Sequence, residues 1–196
     1  MGDSQGEEHE DRQVFRYNES AAITSLDPAA ARSLEHMWVV DQLYDGLVEL
    51  NADLEVVPCV AKSWEVDPVT HTYIFHLRSG VAFSNGRSVD ASDVVFSLER
   101  LRDPSVVSSG GWILDAVVPD GIRAVDDSTV AIRLSQAYPP FLGLLTTAYG
   151  AIVDRMHAQT DGVSLRNQPG GTRPFVLKWW LEDAGLVLHP NPGYWE

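Results

Sequence analysis

Between Leu47 and Phe83 apolar residues recur at every second position, in short segments broken by turn-forming residues. That period belongs to strands buried on one face, and strands this short must pair with near neighbours in the chain. Leu47-Val48-Glu49-Leu50 passes through the polar turn Asn51-Ala52-Asp53 into Val56-Val57-Pro58. Trp64-Glu65-Val66 passes through Asp67-Pro68 into Thr72 to Leu77, where Tyr73, Phe75 and Leu77 share one face. Asn85-Gly86 is a tight-turn pair. The block predicts a small antiparallel sheet.

Helical signals flank it. Val14 to Tyr17 alternates loosely and reads as a strand, after which Ser25-Leu26-Asp27-Pro28 is a turn with Asp27 placed to cap. Leu34, Met37, Trp38, Leu43, Tyr44 and Leu47 follow at mostly three- and four-residue spacing, with Val40 off that stripe. This predicts an amphipathic helix closing near Gly46. Asp90 caps a second helix, with Asp93 in its first turn complementing the dipole; Val94, Val95, Leu98 and Leu101 form its buried stripe. Ser105 to Gly111 is a small-residue loop leading to Trp112. A short strand around Ile122, the strand Thr129 to Leu134, a short helix Phe141 to Leu145, and a hairpin from Phe175 to His189 complete the pattern. Trp64, Trp179 and Trp195 read as core, each lying on an alternating segment.

Composition narrows the chemistry. The chain has 196 residues with 28 Asp and Glu against 14 Lys and Arg, a formal net charge of −14. A surface this acidic repels phosphate, which argues against nucleic acid and anionic membranes as partners. Part of the excess lies in the polar leader that holds Glu7, Glu8 and Glu10, which reads as a disordered tail. No window of about 18 apolar residues is present to span a bilayer, and Met1 is not followed by the basic and apolar stretches of a signal peptide. The lone Cys59 can form no disulfide within the chain, and its apolar surroundings favour an inert, structural thiol. The six histidines lack the spacing of a zinc hydrolase, and His36 reads as a solvated or partner-facing side chain. Neither Gly110-Gly111 nor Gly170-Gly171 has the lysine and spacing of a phosphate loop, and no G-x-S-x-G elbow occurs. No catalytic motif, metal site or cofactor is therefore expected. Trp112 has two readings: an indole stacking on a ligand, or a plug in the core below its loop.

Eight short motifs, in order, resemble the family of extracytoplasmic solute-binding proteins of ABC transporters that capture dipeptides, oligopeptides and nickel chelates, known as family 5. They are Ser25-Leu26-Asp27-Pro28, Leu43-Tyr44-Asp45-Gly46-Leu47, Val57 to Glu65, Tyr73 to Arg78, Val81 to Gly86, Asp93 to Leu98, Gly171 to Phe175, and Asn191 to Trp195. The resemblance covers the chain from about Val14 onward. It implies an α/β (mixed α+β) fold of the type II periplasmic-binding-protein kind: an incomplete first lobe with its small antiparallel-sheet subdomain. On that reading residues 1–13 are a disordered acidic leader, 14–46 start lobe I, 47–169 form its subdomain and 170–196 return to lobe I. The second lobe and the hinge crossings would lie downstream of Glu196. The family pattern runs Gly-Thr-Gly-Pro where this chain has Gly171-Thr172-Arg173-Pro174, a departure expected to disturb close backbone approach at that turn.

Carried over position by position, Arg32, Ser33 and Leu34 match a stretch that lines the ligand cleft, partly through backbone atoms. Trp112 matches a region that projects an aromatic toward the ligand, and Tyr149 is a further candidate. The resemblance implies a non-enzymatic binding component of an importer, working in the periplasm or at the extracellular membrane surface. Its partners would be a peptide or other small-molecule ligand and ABC permease subunits, with self-association possible through the edge of the 170–196 segment. Two other readings stand beside it: a free-standing interaction domain derived from the receptor lobe, and a carboxylate-dependent hydrolase, whose support is only the abundance of acids.

Overall fold

Asp27 turns the incoming chain: its carboxylate accepts from the Ala29 N–H at 3.0 Å and caps a 3-10 turn, Pro28–Ala30. The computed structural model in which this is seen describes residues 14–18, 22–182 and 184–196. The leader 1–13 lies outside the described residues. Ser33 then caps α1 (Leu34–Leu43). β1 (Val48–Leu50) and β2 (Val56–Pro58) pair antiparallel across the Asn51 turn. β3 (Ala61–Asp67) and β4 (Thr72–Leu77) form the next hairpin.

The Asn85-Gly86 turn, with Gly86 at φ +86°, leads into α2 (Ala91–Glu99). Here Asp90 and Asp93 form a reciprocal capping box, each carboxylate accepting the other's backbone N–H. A further 3-10 turn, Gly111–Leu114, precedes β5 (Val117–Asp126), which returns antiparallel to β6 (Thr129–Leu134). Helices α3 (Phe141–Leu145) and α4 (Arg155–Ala158) follow, and the hairpin β7 (Phe175–Leu181) and β8 (Gly185–Pro190) closes the chain. The four-stranded sheet runs β3-β4-β6-β5, wholly antiparallel.

Two apolar cores result. The larger lies under the inward faces of β4 and β6, where Tyr73, Phe75 and Leu77 meet Val130, Ile132 and Leu134 and are roofed by Val94, Leu98 and Phe141. The second joins α1 to Ala148, Ala151, Val153 and Leu165, with Leu177, Trp180, Leu186 and Leu188 of the hairpin against it. Each fully buried Leu, Ile or Phe contributes about 1.5–3 kcal/mol, so both cores are substantial.

Five sequence expectations are corrected. Val14 to Tyr17 forms no strand, because no neighbour pairs with it among the described residues; Tyr17 stacks instead on Trp38 at 4.7 Å. The buried face of α1 is His36, Val39, Val40 and Leu43, while Leu34 is 82% exposed. The second core lies beside the Val40 side of the helix and selects that stripe. His36 is accordingly buried rather than solvated, and α1 ends at Leu43. Gly46 serves an extended bridge to Ala151, where a Cβ would stand 3.2 Å from the Leu145 and Val48 carbonyl oxygens. Finally, Trp179 is not core: a bulge between Leu177 and Trp179 puts Trp180 on the Leu177 face and leaves Trp179 47% exposed.

Candidate ligand-facing surface

Residues 31–34, the loop before Trp112, and Tyr149 come from distant parts of the chain and meet at one place. Tyr149 is the centre of the join. Its hydroxyl donates to the Ala31 carbonyl at 2.5 Å, and its ring lies edge-on to Trp112 with centroids 6.3 Å apart. Burial pushes the Tyr149 phenol above its ordinary range, so it stays a donor. Gly110 is required here: a Cβ would sit 2.3 Å from the Tyr149 ring. The loop is tied from the other side as well, by the Ser109 N–H to the Ala29 carbonyl at 2.9 Å and by Arg32 Nε to Ser109 Oγ at 3.1 Å.

The five expected site residues fall into two groups. Arg32, Leu34 and Trp112 are exposed, Trp112 by half its surface. They offer a guanidinium, an aliphatic chain and an indole face. Ser33 and Tyr149 face inward, Ser33 as the cap of α1 and Tyr149 as the post under Trp112. Trp112 packs edge-on against Tyr149 and leaves half of its surface exposed. Sequence reasoning missed Ser109 and Gly110, because a serine and a glycine in a small-residue loop carry no signal until the loop's neighbour is known. Beside this surface, Asp27, Ala29, Ala30, Phe96, Arg100 and Val106 help line an open groove of about 800 Å³. Arg100 grips Asp27 with both terminal nitrogens, at 3.2 and 2.7 Å, so neither charge is free for a ligand.

A separate charged cluster sits where the two cores meet. Asp45 is wholly buried; its carboxylate pairs with Arg173 Nε at 2.6 Å and accepts from Thr172 Oγ1 at 2.7 Å and Trp195 Nε1 at 3.2 Å. Arg173 also reaches Glu49 at 3.0 Å and the Tyr44 carbonyl at 3.1 Å. Cys59 Sγ donates to Asp45 at 3.5 Å, and burial first, then the Asp45 charge, push the thiol far above the range in which it reacts. Asp45, Glu49 and Cys59 are the one grouping of three potential metal ligands among the described residues. The Arg173 cation already pairs with both carboxylates of that grouping. Backbone approach at the turn stays close despite Arg173, because Gly171 supplies it: a Cβ there would stand 2.0 Å from the Leu43 carbonyl oxygen.

The antiparallel sheet set beside α1 and the β7–β8 hairpin has the fold of a partial lobe of the type II periplasmic-binding-protein class. The sequence profile described as bacterial extracellular solute-binding proteins, family 5 Middle, matches residues 55–196, and the chain belongs to that family. It is 34% identical to the periplasmic murein peptide-binding protein MppA of Escherichia coli K12, over 88% of this chain and 35% of that protein. It is 29% identical to the probable deoxycholate-binding periplasmic protein YgiS of the same organism, over 93% of this chain and 37% of that one. The substrate-binding domain of an oligopeptide ABC transporter from Bacillus anthracis superposes with a TM-score of 0.86 at 28% identity, covering 94% of this chain and 39% of that one. The chain spans just over a third of the length of these relatives.

Proposed function

We propose that the chain is the substrate-binding component, in N-terminal part, of an ABC importer for peptides or related small solutes. It acts without catalysis, in the periplasm or at the extracellular membrane surface, and passes its ligand to permease subunits. Arg32, Ser33, Leu34, Trp112 and Tyr149 form its share of the ligand site. The observation that supports this reading is the meeting of exposed Arg32, tied to Ser109, with exposed Trp112, which lies against Tyr149, whose hydroxyl holds the Ala31 carbonyl. The domain division follows the same lines: residues 14–46 and 170–196 as lobe I, 47–169 as its subdomain.

Enclosure between two lobes excludes water and completes a ligand's hydrogen bonds, so a single open face binds weakly, with a dissociation constant on the order of millimolar. Titration of the 196-residue chain with an alanine–phenylalanine–alanine tripeptide, followed by amide and indole NMR, tests this. Expected are fast-exchange shifts at Arg32, Leu34 and the Trp112 indole. Shifts confined to other surfaces would overturn the site, and micromolar affinity would overturn the need for a second lobe.

One observation favours an additional reading. Phe175, Trp179, Leu181 and Val187 of the β7–β8 hairpin are all more than a third exposed, a dense apolar set on a two-stranded element. Unpaired strand edges with such side chains invite association, and the proposed partner is a second copy of the chain.

A further inference from the structure

His36 stands in the first turn of α1, buried, two residues beyond the stretch proposed to line the ligand cleft. Its ring touches both ends of the segment that carries that stretch. On one side the Thr24 backbone N–H donates to Nε2 at 3.0 Å; on the other, Nδ1 lies 2.8 Å from Ser33 Oγ. A backbone N–H can only donate, so Nε2 must hold a lone pair there and the ring proton is on Nδ1, given to Ser33. Thr24 Oγ1, 3.1 Å from the same Nε2, fits alongside as a second donor.

We infer that His36 is a positioning residue for Arg32, Ser33 and Leu34, acting as a clamp that works only in its Nδ1–H tautomer. Between its two anchors run Ser25 to Arg32, with the 3-10 turn, the groove wall and the Ala31 carbonyl held by Tyr149. Fixing Thr24 and Ser33 on one rigid ring sets the path between them. The direction in which Arg32 and Leu34 leave the helix start follows from that path. The inference rests on the proposed ligand surface for its functional meaning, but the clamp itself is readable without ligand.

The test is NMR of the full 196-residue chain at pH 7.5. Long-range nitrogen–proton correlation should show His36 protonated on Nδ1 alone; an Nε2–H tautomer or a doubly protonated ring overturns the inference. His36→Gln places an acceptor near the Nε2 position, and His36→Leu removes both contacts. The Leu variant should speed Thr24 amide exchange about tenfold and shift the Arg32 and Leu34 amides, with the Gln variant restoring most of the protection. Unchanged Arg32 and Leu34 signals in folded His36→Leu, or a Gln variant no better than Leu, would refute the positioning role. Failure of the ligand reading appears separately, as a wild-type chain whose clamp signals are intact but whose Arg32 and Leu34 amides ignore added tripeptide.

Discussion

Arg173 is the cation that holds the buried charge between the two cores. It pairs with both the buried Asp45 and the partly buried Glu49. Arg173→Gly strands a carboxylate with no exposed surface, and removing one partner of a buried pair costs about 3–5 kcal/mol. Arg173 itself is a quarter exposed, so the expected loss is at the low end, about 3 kcal/mol. Urea unfolding reads it; a loss under 1 kcal/mol would mean that Thr172 and Trp195 satisfy Asp45 by themselves. Asp154 is a second buried charge. Burial works to raise its carboxyl, but hydrogen bonds from Arg87, the His157 N–H and Asn85 outweigh this and hold it below the ordinary value of 3.8. The unfolded chain therefore binds this proton more readily than the folded one. The stabilisation is complete above about pH 4 and is lost as pH falls through the folded value. Asp154→Asn should lower stability at neutral pH and flatten the acid limb below about pH 4. An unchanged acid limb in that variant would assign the acid sensitivity to other groups.

At the scale of elements, the β7–β8 hairpin shows how one extra residue redirects a strand. Simple alternation puts Phe175, Leu177 and Trp179 on one face; the bulge after Leu177 hands the inner place to Trp180. Trp180→Ala should cost about 2 kcal/mol and Trp179→Ala no more than about 0.5 kcal/mol, since only the first packs against the second core. Thermal melts of the two variants check this, and equal losses would place the bulge elsewhere. The start of α1 depends on Ser33, whose hydroxyl accepts from His36 N at 3.5 Å and meets the His36 ring at 2.8 Å. Ser33→Ala should lower stability by about 1 kcal/mol, and Ser33→Asp, which keeps a capping oxygen, by less. A chemical-denaturation midpoint unmoved by Ser33→Ala would show that the cap contributes nothing.

The whole molecule presents two different open faces, the Arg32–Leu34–Trp112 surface and the exposed side of the hairpin. If the hairpin is sticky, light scattering should show mass rising with concentration, and Trp179→Lys together with Val187→Lys should return the chain to a monomer. A constant monomer mass at high concentration would sink the self-association reading. The sequence by itself determined the antiparallel strands between Leu47 and Phe83, the Asp27 and Asp90 caps, the Asn85-Gly86 turn and the inert Cys59. Those follow from residue period, local hydrogen bonding and fixed backbone preferences, which act over a few residues. Only the tertiary structure decided which stripe of α1 is buried, that His36 bridges Thr24 and Ser33, that Trp179 faces out, and that Arg173 sits against Asp45. Each of those depends on a packing or hydrogen-bonding partner that residue period does not reveal. The Tyr149 hydroxyl reaches Ala31 across 118 positions and Thr172 reaches Asp45 across 127, and local pattern carries no information at that range.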